Sequence, residues 1–350
     1  MPDRNVERVL NALSVAVFVV DADQRIQFNN AAAVSLFGPG PRGRMLASYV
    51  PNKRCIRAVE EVIDGRSSAS VSVTLQLAVP TTFRMTATHL SPLPDQDELP
   101  GVVVSFEDVS HVLEARQMRS DFVANVSHEL RSPLTTLGGI IETLQGHARY
   151  DPDATTRFLD LMETESQRMA RIIDDLLSLS KLQSVERYAP TDPVDLPPVI
   201  EGVAALLGPI LESEKVTLQL EFAPDLRTVF GDVHELGQVF RNLIENAAKY
   251  SRNGSVVRVE GRNDKRDPQN LHVTVTDQGD GIAPEHISRL TERFYRIDKG
   301  RSRDKGGTGL GLAIVKHILM RHRGRLQIDS EVGKGSAFTV ILPIAVAQED

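Results

Sequence analysis

The chain has 350 residues, enough for two or three domains at roughly 150 residues each. Hydrophobic residues at 41% allow real cores, while 40 Lys and Arg against 47 Asp and Glu, with no Trp, exclude the basic stripe and stacking aromatics of a nucleic-acid binder. A lone cysteine, Cys55, excludes a disulfide framework, and the early apolar run Ala12–Val20 is far too short for a membrane span. The expectation is a cytoplasmic protein with no span in this chain. Recruitment to a membrane, or an inner-membrane anchor missing from the chain, is the alternative.

Residues 1–108 alternate like a half-buried antiparallel sheet. Val71, Val73, Leu75, Leu77 and Val79 take every second position, with Ser, Thr and Gln between them. Val17–Val20, Ile26–Phe28, Phe83–Leu90 and Val102–Phe106 read as further strands, Asn30–Phe37 and Cys55–Ile63 as short helices, and Ser91–Gly101 as a turn. Residues 109–184 change period. Val123, Val126, Leu130, Pro133, Leu137, Ile140 and Leu144 are spaced 3-4-3-4-3-4. After a break at Gly146–Asp153, Phe158, Met162, Glu165, Met169, Ile172, Leu176 and Leu179 repeat the pattern, with Glu165 as the polar exception. Two helices with such seams bury little as one hairpin, so an antiparallel four-helix bundle of two chains is expected.

Val185–Pro198 is proline-rich and reads as a linker. Helix and strand then alternate: Ile200–Glu212, Val216–Glu221, Glu235–Lys249, Val256–Glu260, Leu271–Asp277, Leu310–Met320, Leu326–Ser330 and Phe338–Leu342. The pattern predicts an α+β or α/β sandwich.

With Val123 at heptad position a, His128 falls at f and projects away from the seam. Ser132 lies one turn on, and the adjacent Glu129 can accept the imidazole proton. Pro133 removes a backbone hydrogen bond and predicts a bend just beyond. The run Gly307-Thr308-Gly309-Leu310-Gly311 opens a helix, where glycines and free N–H groups suit phosphate. Asp277 ends an apolar strand with Gly279, Gly281 and Ile282 after it, a carboxylate able to accept an exocyclic amine beside a turn that admits a flat ring. Asn242 and Asn246 lie at i, i+4 on one helix, near Glu245, Lys249 and Tyr250. A neutral amide oxygen suits Mg²⁺ already balanced by a triphosphate.

Ser127-His128-Glu129-Leu130-Arg131-Ser132-Pro133-Leu134 resembles the H box of bacterial sensor histidine kinases. Asn242–Tyr250 resembles their N box, Asp277–Ile282 the G1 box, Phe294-Tyr295-Arg296 the F box, Gly307–Gly311 the G2 box, and Gly333-Lys334-Gly335-Ser336 the trailing glycine motif. All stand in the family's order across residues 109–345. The first hundred residues look like a PAS sensor, and the Phe106–His128 junction is similar to phosphate-regulon sensor kinases.

The resemblance implies a multidomain α+β protein: a PAS-like sensor over 1–108, a dimerising phosphotransfer hairpin over 109–184, and a Bergerat-type ATP-binding sandwich over 195–345. His128 would take the γ-phosphoryl group of ATP and pass it to an aspartate on a response regulator, with Glu129 as base and Ser132 positioning water to hydrolyse the phosphoryl group on that regulator. Ser132 stands where relatives carry Thr or Asn. Asn246 would hold Mg²⁺, Asn242, Glu245, Lys249 and Tyr250 would line the nucleotide, and Asp277 would bind adenine in a pocket shaped by Gly279 and Gly281. Arg296 and a lid over Pro284–Gly306 would close on the phosphates. The competing readings are a pure ATPase of the same superfamily and a kinase-dead PAS scaffold. In the sensor region, His89 and Cys55 offer poor footing for haem or a flavin adduct, and Cys55 reads as a half-buried thiol.

Overall fold

The computed structural model describes residues 4–76, 80–90, 101–146, 150–185, 189–297 and 307–345. Leu77 and Val79 of the expected strand, and residues 91–100, 147–149, 186–188 and 298–306 of the expected turn, helix break, linker and lid, lie outside this set. The chain divides into two compact units, residues 1–121 and 122–350.

The first unit opens with α1 (Arg4–Asn11), followed by β1 (Ala16–Val20), β2 (Ile26–Asn29), α2 (Ala31–Phe37), α3 (Lys53–Ile63), β3 (Ser68–Gln76), β4 (Pro80–Leu90) and β5 (Gly101–Asp108). The strands form one antiparallel sheet in the order β2-β1-β5-β4-β3. On β3 the period of two holds: Ala69 and Val73 are buried while Ser70, Ser72 and Thr74 face outward. Phe18, Phe37 and Phe106 pack with centroids 5.0 to 6.2 Å apart. The buried Asn30 accepts from the N–H groups of Val17 and Ala33 and donates to the carbonyls of Leu10 and Val15, so one amide caps α2 and ties the chain after α1 to β1. Helix α1 has no counterpart in the sequence reading. Cys55 is fully buried rather than half-buried, because α3 turns it onto the sheet, and burial pushes its thiol up to about 11.

Helix α4 (Ser110–Gln145) is rooted on this sheet. Ser110 Oγ accepts from the Thr82 N–H at 3.0 Å, and the Ser110 N–H donates to Asp108 Oδ1 at 2.9 Å, holding that carboxyl below its usual range. Helix α5 spans Pro152–Val185. No helix among the described residues is long and apolar enough to cross a membrane.

The expected linker is structured at its end. Pro193–Val194 form β6, and α6 (Leu196–Leu206) carries Pro197 and Pro198 in its first turn, where a missing N–H costs nothing. The single helix expected over Ile200–Glu212 is two, since Pro209 cannot continue a helix and opens α7 (Gly208–Ser213). Then come β7 (Thr217–Phe222), β8 (Val229–Phe230), α8 (Val233–Tyr250), β9 (Val256–Asn263), β10 (Asn270–Thr276), α9 (Pro284–Ile287), α10 (Gly311–Arg321), β11 (Arg325–Glu331) and β12 (Gly335–Pro343). The mixed sheet runs β11-β12-β10-β9-β7, with only β7–β9 parallel among its pairs. Strands β6 and β8 pair separately. Leu236, Val239, Phe240, Leu243, Ile244, Ala247 and Ala248 give α8 a buried stripe at helical spacing. Each of the larger ones contributes about 1.5–3 kcal/mol relative to exposure.

Candidate functional site

The stripe on α8 fixes what the other flank offers. With those residues inward, Asn242, Glu245, Asn246 and Lys249 fall on a half-buried border, and Tyr250 is exposed. Lys249 Nζ lies 2.7 Å from Glu245 Oε1, so the two charges offset each other. Asn242 Nδ2 donates to the Gly311 carbonyl at 3.4 Å, joining α8 to the start of α10. The N-cap Asp232 accepts from the N–H groups of His234 and Glu235.

Asp277 follows β10 directly and is buried. Its Oδ1 accepts from the Gly279 N–H at 2.8 Å and the Ser336 N–H at 3.2 Å. Burial pushes the carboxyl above its usual range, and these hydrogen bonds oppose the shift. A second layer stands behind it. Ser330 Oγ accepts from the Ile282 N–H at 2.8 Å and lies 2.9 Å from Ser336 Oγ, locking the turn after Asp277 to the trailing glycine loop. Gly281 has φ +70° and packs on the Glu331 carbonyl, so only glycine fits this turn. The Asp277 pocket is lined also by Thr276, Asp329, Lys334 and Gly335.

Gly309 has φ +72° against the backbone of Phe294, whose N–H donates to the Gly309 carbonyl at 2.8 Å. The F and G2 segments are therefore joined backbone to backbone. Thr308 is buried, and its hydroxyl donates to Asp175 Oδ2 on α5 at 2.8 Å. Phe294 packs on Phe122 of α4 at 5.9 Å, and the Arg293 guanidinium lies 5.6 Å over the same ring. Leu176 and Leu179 of α5 join the core of the sandwich.

On α4, His128 is exposed and shares an open groove with Arg131, Ser132, Thr135, Thr136 and Gly139. Pro133 lies inside the helix and has no N–H for the Glu129 carbonyl. The hydroxyls of Thr135 and Thr136 donate to the carbonyls of Arg131 and Ser132 around it. Glu129 is turned to two cations: Arg168 Nη2 of α5 at 3.3 Å and Arg296 Nη1 at 4.0 Å. Arg296, expected on nucleotide phosphates, thus lies beside the residue next to His128.

The structure brings Asn242, Glu245, Asn246, Lys249 and Tyr250 onto one helix and ties Asn242 to Gly311 and Asp277 to Gly279. It places Thr308 against Asp175 of α5 and Arg296 beside Glu129 of α4. Sequence reading missed Arg168 and Asp175. Arg168 and Glu129 both sit at heptad g, and opposite charges at flanking heptad positions of paired helices are a legible signal, whereas Asp175, whose partner is the Thr308 hydroxyl, offered none. Ser330 offered none either.

Residues 231–346 match the family described as histidine kinase-, DNA gyrase B-, and HSP90-like ATPase, residues 118–185 the His Kinase A (phospho-acceptor) domain, and residues 10–113 the PAS fold. The chain is 35% identical to the phosphate regulon sensor protein PhoR of Pseudomonas aeruginosa, over 97% of this chain and 74% of that protein. It is 34% identical to the sensor-like histidine kinase SenX3 of Mycolicibacterium smegmatis, over 97% of this chain and 85% of that one. Among solved structures, histidine kinase ThkA in complex with response regulator protein TrrA shares the fold, with a TM-score of 0.53 at 22% identity over 96% of this chain and 98% of that one. Phosphoacceptor helices, an ATP-binding sandwich and a PAS fold in one chain, with relatives alike over nearly its whole length, establish that it belongs to the two-component sensor histidine kinases and is an ATP-dependent protein-histidine kinase.

Proposed function

We propose that the chain phosphorylates its own His128 from ATP and passes the group to an aspartate of a response regulator, in phosphate-responsive signalling. The observation that carries this reading is the exposed His128 in a groove with Ser132, within the same compact unit as the nucleotide-box residues. The division into 1–108, 109–184 and 195–345 assigns sensing, phosphotransfer and ATP binding to successive parts.

In the proposed step, the unprotonated imidazole nitrogen attacks the γ-phosphorus of ATP. The bond to the bridging oxygen breaks, and its electron pair leaves on ADP. The proton on the other ring nitrogen passes to Glu129. Asp277 accepts the adenine amine on the carboxylate edge not used by Gly279 and Ser336, and Gly279, Gly281 and Ile282 frame the ring. Asn242, Glu245, Lys249 and Tyr250 line the nucleotide, while Gly307, Thr308, Gly309, Leu310 and Gly311 receive the phosphates at the start of α10. Arg296 joins them once it leaves Glu129. The described residues hold no cluster of acidic, His or Cys side chains fit for a metal on its own. Asn246, half-buried and neutral, suits Mg²⁺ arriving with ATP, which would supply charge neutralisation on the phosphates. Ser132 positions water for hydrolysis of the regulator's phosphoryl group.

A homodimer completes the hairpin. Val123, Leu134, Ile141, Leu159, Ile173 and Leu177 are exposed on α4 and α5, and a second hairpin is the cover that their helical spacing fits. The test is incubation with γ-labelled ATP and Mg²⁺. Acid-labile, alkali-stable label on the protein is expected; release of free phosphate alone would favour the ATPase reading.

A further inference from the structure

Glu165 is the polar residue in an otherwise apolar heptad seam, and an apolar side chain there would pack better. Its side chain is 17% exposed, and its Oε2 is buried without a hydrogen-bond partner among the described residues. Arg168 Nη1, one turn on, lies 3.8 Å from that oxygen. Arg168 is itself only 12% exposed, and its other terminal nitrogen, Nη2, reaches across to Glu129 Oε2 on α4 at 3.3 Å. A planar guanidinium held at both ends has little freedom to turn. Glu129 is covalently next to His128, its side chain is only 19% exposed, and its three rotatable bonds leave the aim of its carboxylate to the charges around it. Its remaining cationic neighbour, Arg296, is farther off at 4.0 Å and lies two residues beyond Phe294, whose N–H donates to the Gly309 carbonyl. Arg168 is the neighbour that belongs to the hairpin.

We infer that Arg168, backed by Glu165, is a positioning residue that holds the Glu129 carboxylate at the His128 imidazole during autophosphorylation. The inference rests on the roles proposed above for His128 and Glu129. The unfavourable carboxylate in the seam then has a use: it aims a guanidinium from the second helix at the base on the first. The device acts on the chemical step, because the ion pairs of Arg168 run to Glu129 and Glu165 on the two long helices.

The experiment measures autophosphorylation rate against ATP concentration on the full chain. The variants are Arg168→Ala, Arg168→Lys, Glu165→Gln and the double Arg168→Ala/Glu165→Gln. Arg168→Ala is expected to lower kcat roughly 10- to 100-fold, the scale of a misplaced catalytic group, with KM for ATP and nucleotide affinity within about twofold. Arg168→Lys should recover part of the rate, and Glu165→Gln should cause a smaller fall in kcat alone. The double variant should be no worse than Arg168→Ala, since Glu165 acts only through Arg168. A kcat unchanged or raised in Arg168→Ala, a loss expressed in KM, or losses that multiply in the double variant would overturn the inference. If Arg168→Ala does not fold, Glu165→Gln decides: a parental kcat refutes the relay. Absence of label on His128 in the parent chain would overturn the underlying reading as well, and is thereby distinguishable.

Discussion

The Thr308 hydroxyl donates a 2.8 Å hydrogen bond to the Asp175 carboxylate, joining the G2 loop to helix α5 with both groups buried. Asp175 faces Thr308, Arg241 and Glu245 from the ATP-binding half and Arg171 from its own helix, and burial raises its carboxyl above the usual range. A raised carboxyl favours the folded state at low pH and loses that contribution as pH rises through the folded value. At neutral pH the ionised form is a cost, offset by Thr308 and the two arginines.

Two variants separate the bond from the charge. Asp175→Asn keeps an acceptor for Thr308 and should melt no lower than the parent at pH 7.5, by calorimetry. Asp175→Ala removes the bond, and with it one hold on the nucleotide half. Its autophosphorylation rate should rise about fivefold or more, the scale of a typical coupling between sites. A slower Asp175→Ala enzyme would show that the contact belongs to the reactive arrangement.

Asp277→Asn should leave the turn intact, because an amide oxygen can still accept from Gly279 and Ser336. The edge left for adenine becomes a donor facing a donor. ATP affinity should fall by on the order of 1–3 kcal/mol, while the nucleotide-free melting temperature at neutral pH stays equal or rises, since a buried charge is gone. Isothermal titration and thermal melts read both. Unchanged affinity would remove Asp277 from adenine recognition.

His322 is buried at the end of α10. Its Nδ1–H donates to the Ile318 carbonyl at 2.8 Å, and its Nε2 accepts from the Asp232 N–H at 3.0 Å, so the neutral ring supports the N-cap of α8. Burial lowers its basicity from the ordinary 6.5. A lowered histidine contributes stability fully above the unfolded value and loses it as pH falls through 6.5 towards the folded value. Melting temperature should therefore drop between about pH 7 and 5, and His322→Gln should flatten that slope while lowering stability at pH 7.5 by ~1–3 kcal/mol.

Ser132→Ala should spare autophosphorylation and slow dephosphorylation of the regulator at least roughly tenfold, if the hydroxyl positions water. The readout is phosphate release from a labelled receiver domain. Equal loss of both activities would place Ser132 with the kinase step.

What the sequence revealed, and what it withheld, follows from the range of the interactions. The α8 stripe from Leu236 to Ala248, the alternation along β3 and the exposure of His128 at heptad f are consequences of period, and period is local. The break at Pro209 and the prolines opening α6 were local too, but Pro197 and Pro198 read as linker because proline terminates a helix more often than it begins one in a bare string. The pairings Thr308–Asp175, Arg296–Glu129 and Ser330–Ile282 join residues far apart in the chain, and nothing near any of them in sequence announces the partner. Box motifs marked the expected nucleotide elements; they could not show that Thr308 and Arg296 contact the long helices while Asp277 is bonded within its own turn.

The central claim is that His128 receives the phosphoryl group from a nucleotide bound elsewhere in the same unit. The most direct test compares the parent with His128→Ala, mapping phosphohistidine by mass spectrometry at neutral to alkaline pH and measuring ATP affinity in parallel. The account predicts phosphate on His128 in the parent, none on any histidine of the variant, and ATP affinity equal within about twofold, because the exposed imidazole contributes nothing to the nucleotide pocket. Phosphohistidine persisting in the variant, or ATP affinity lost along with the label, would contradict it.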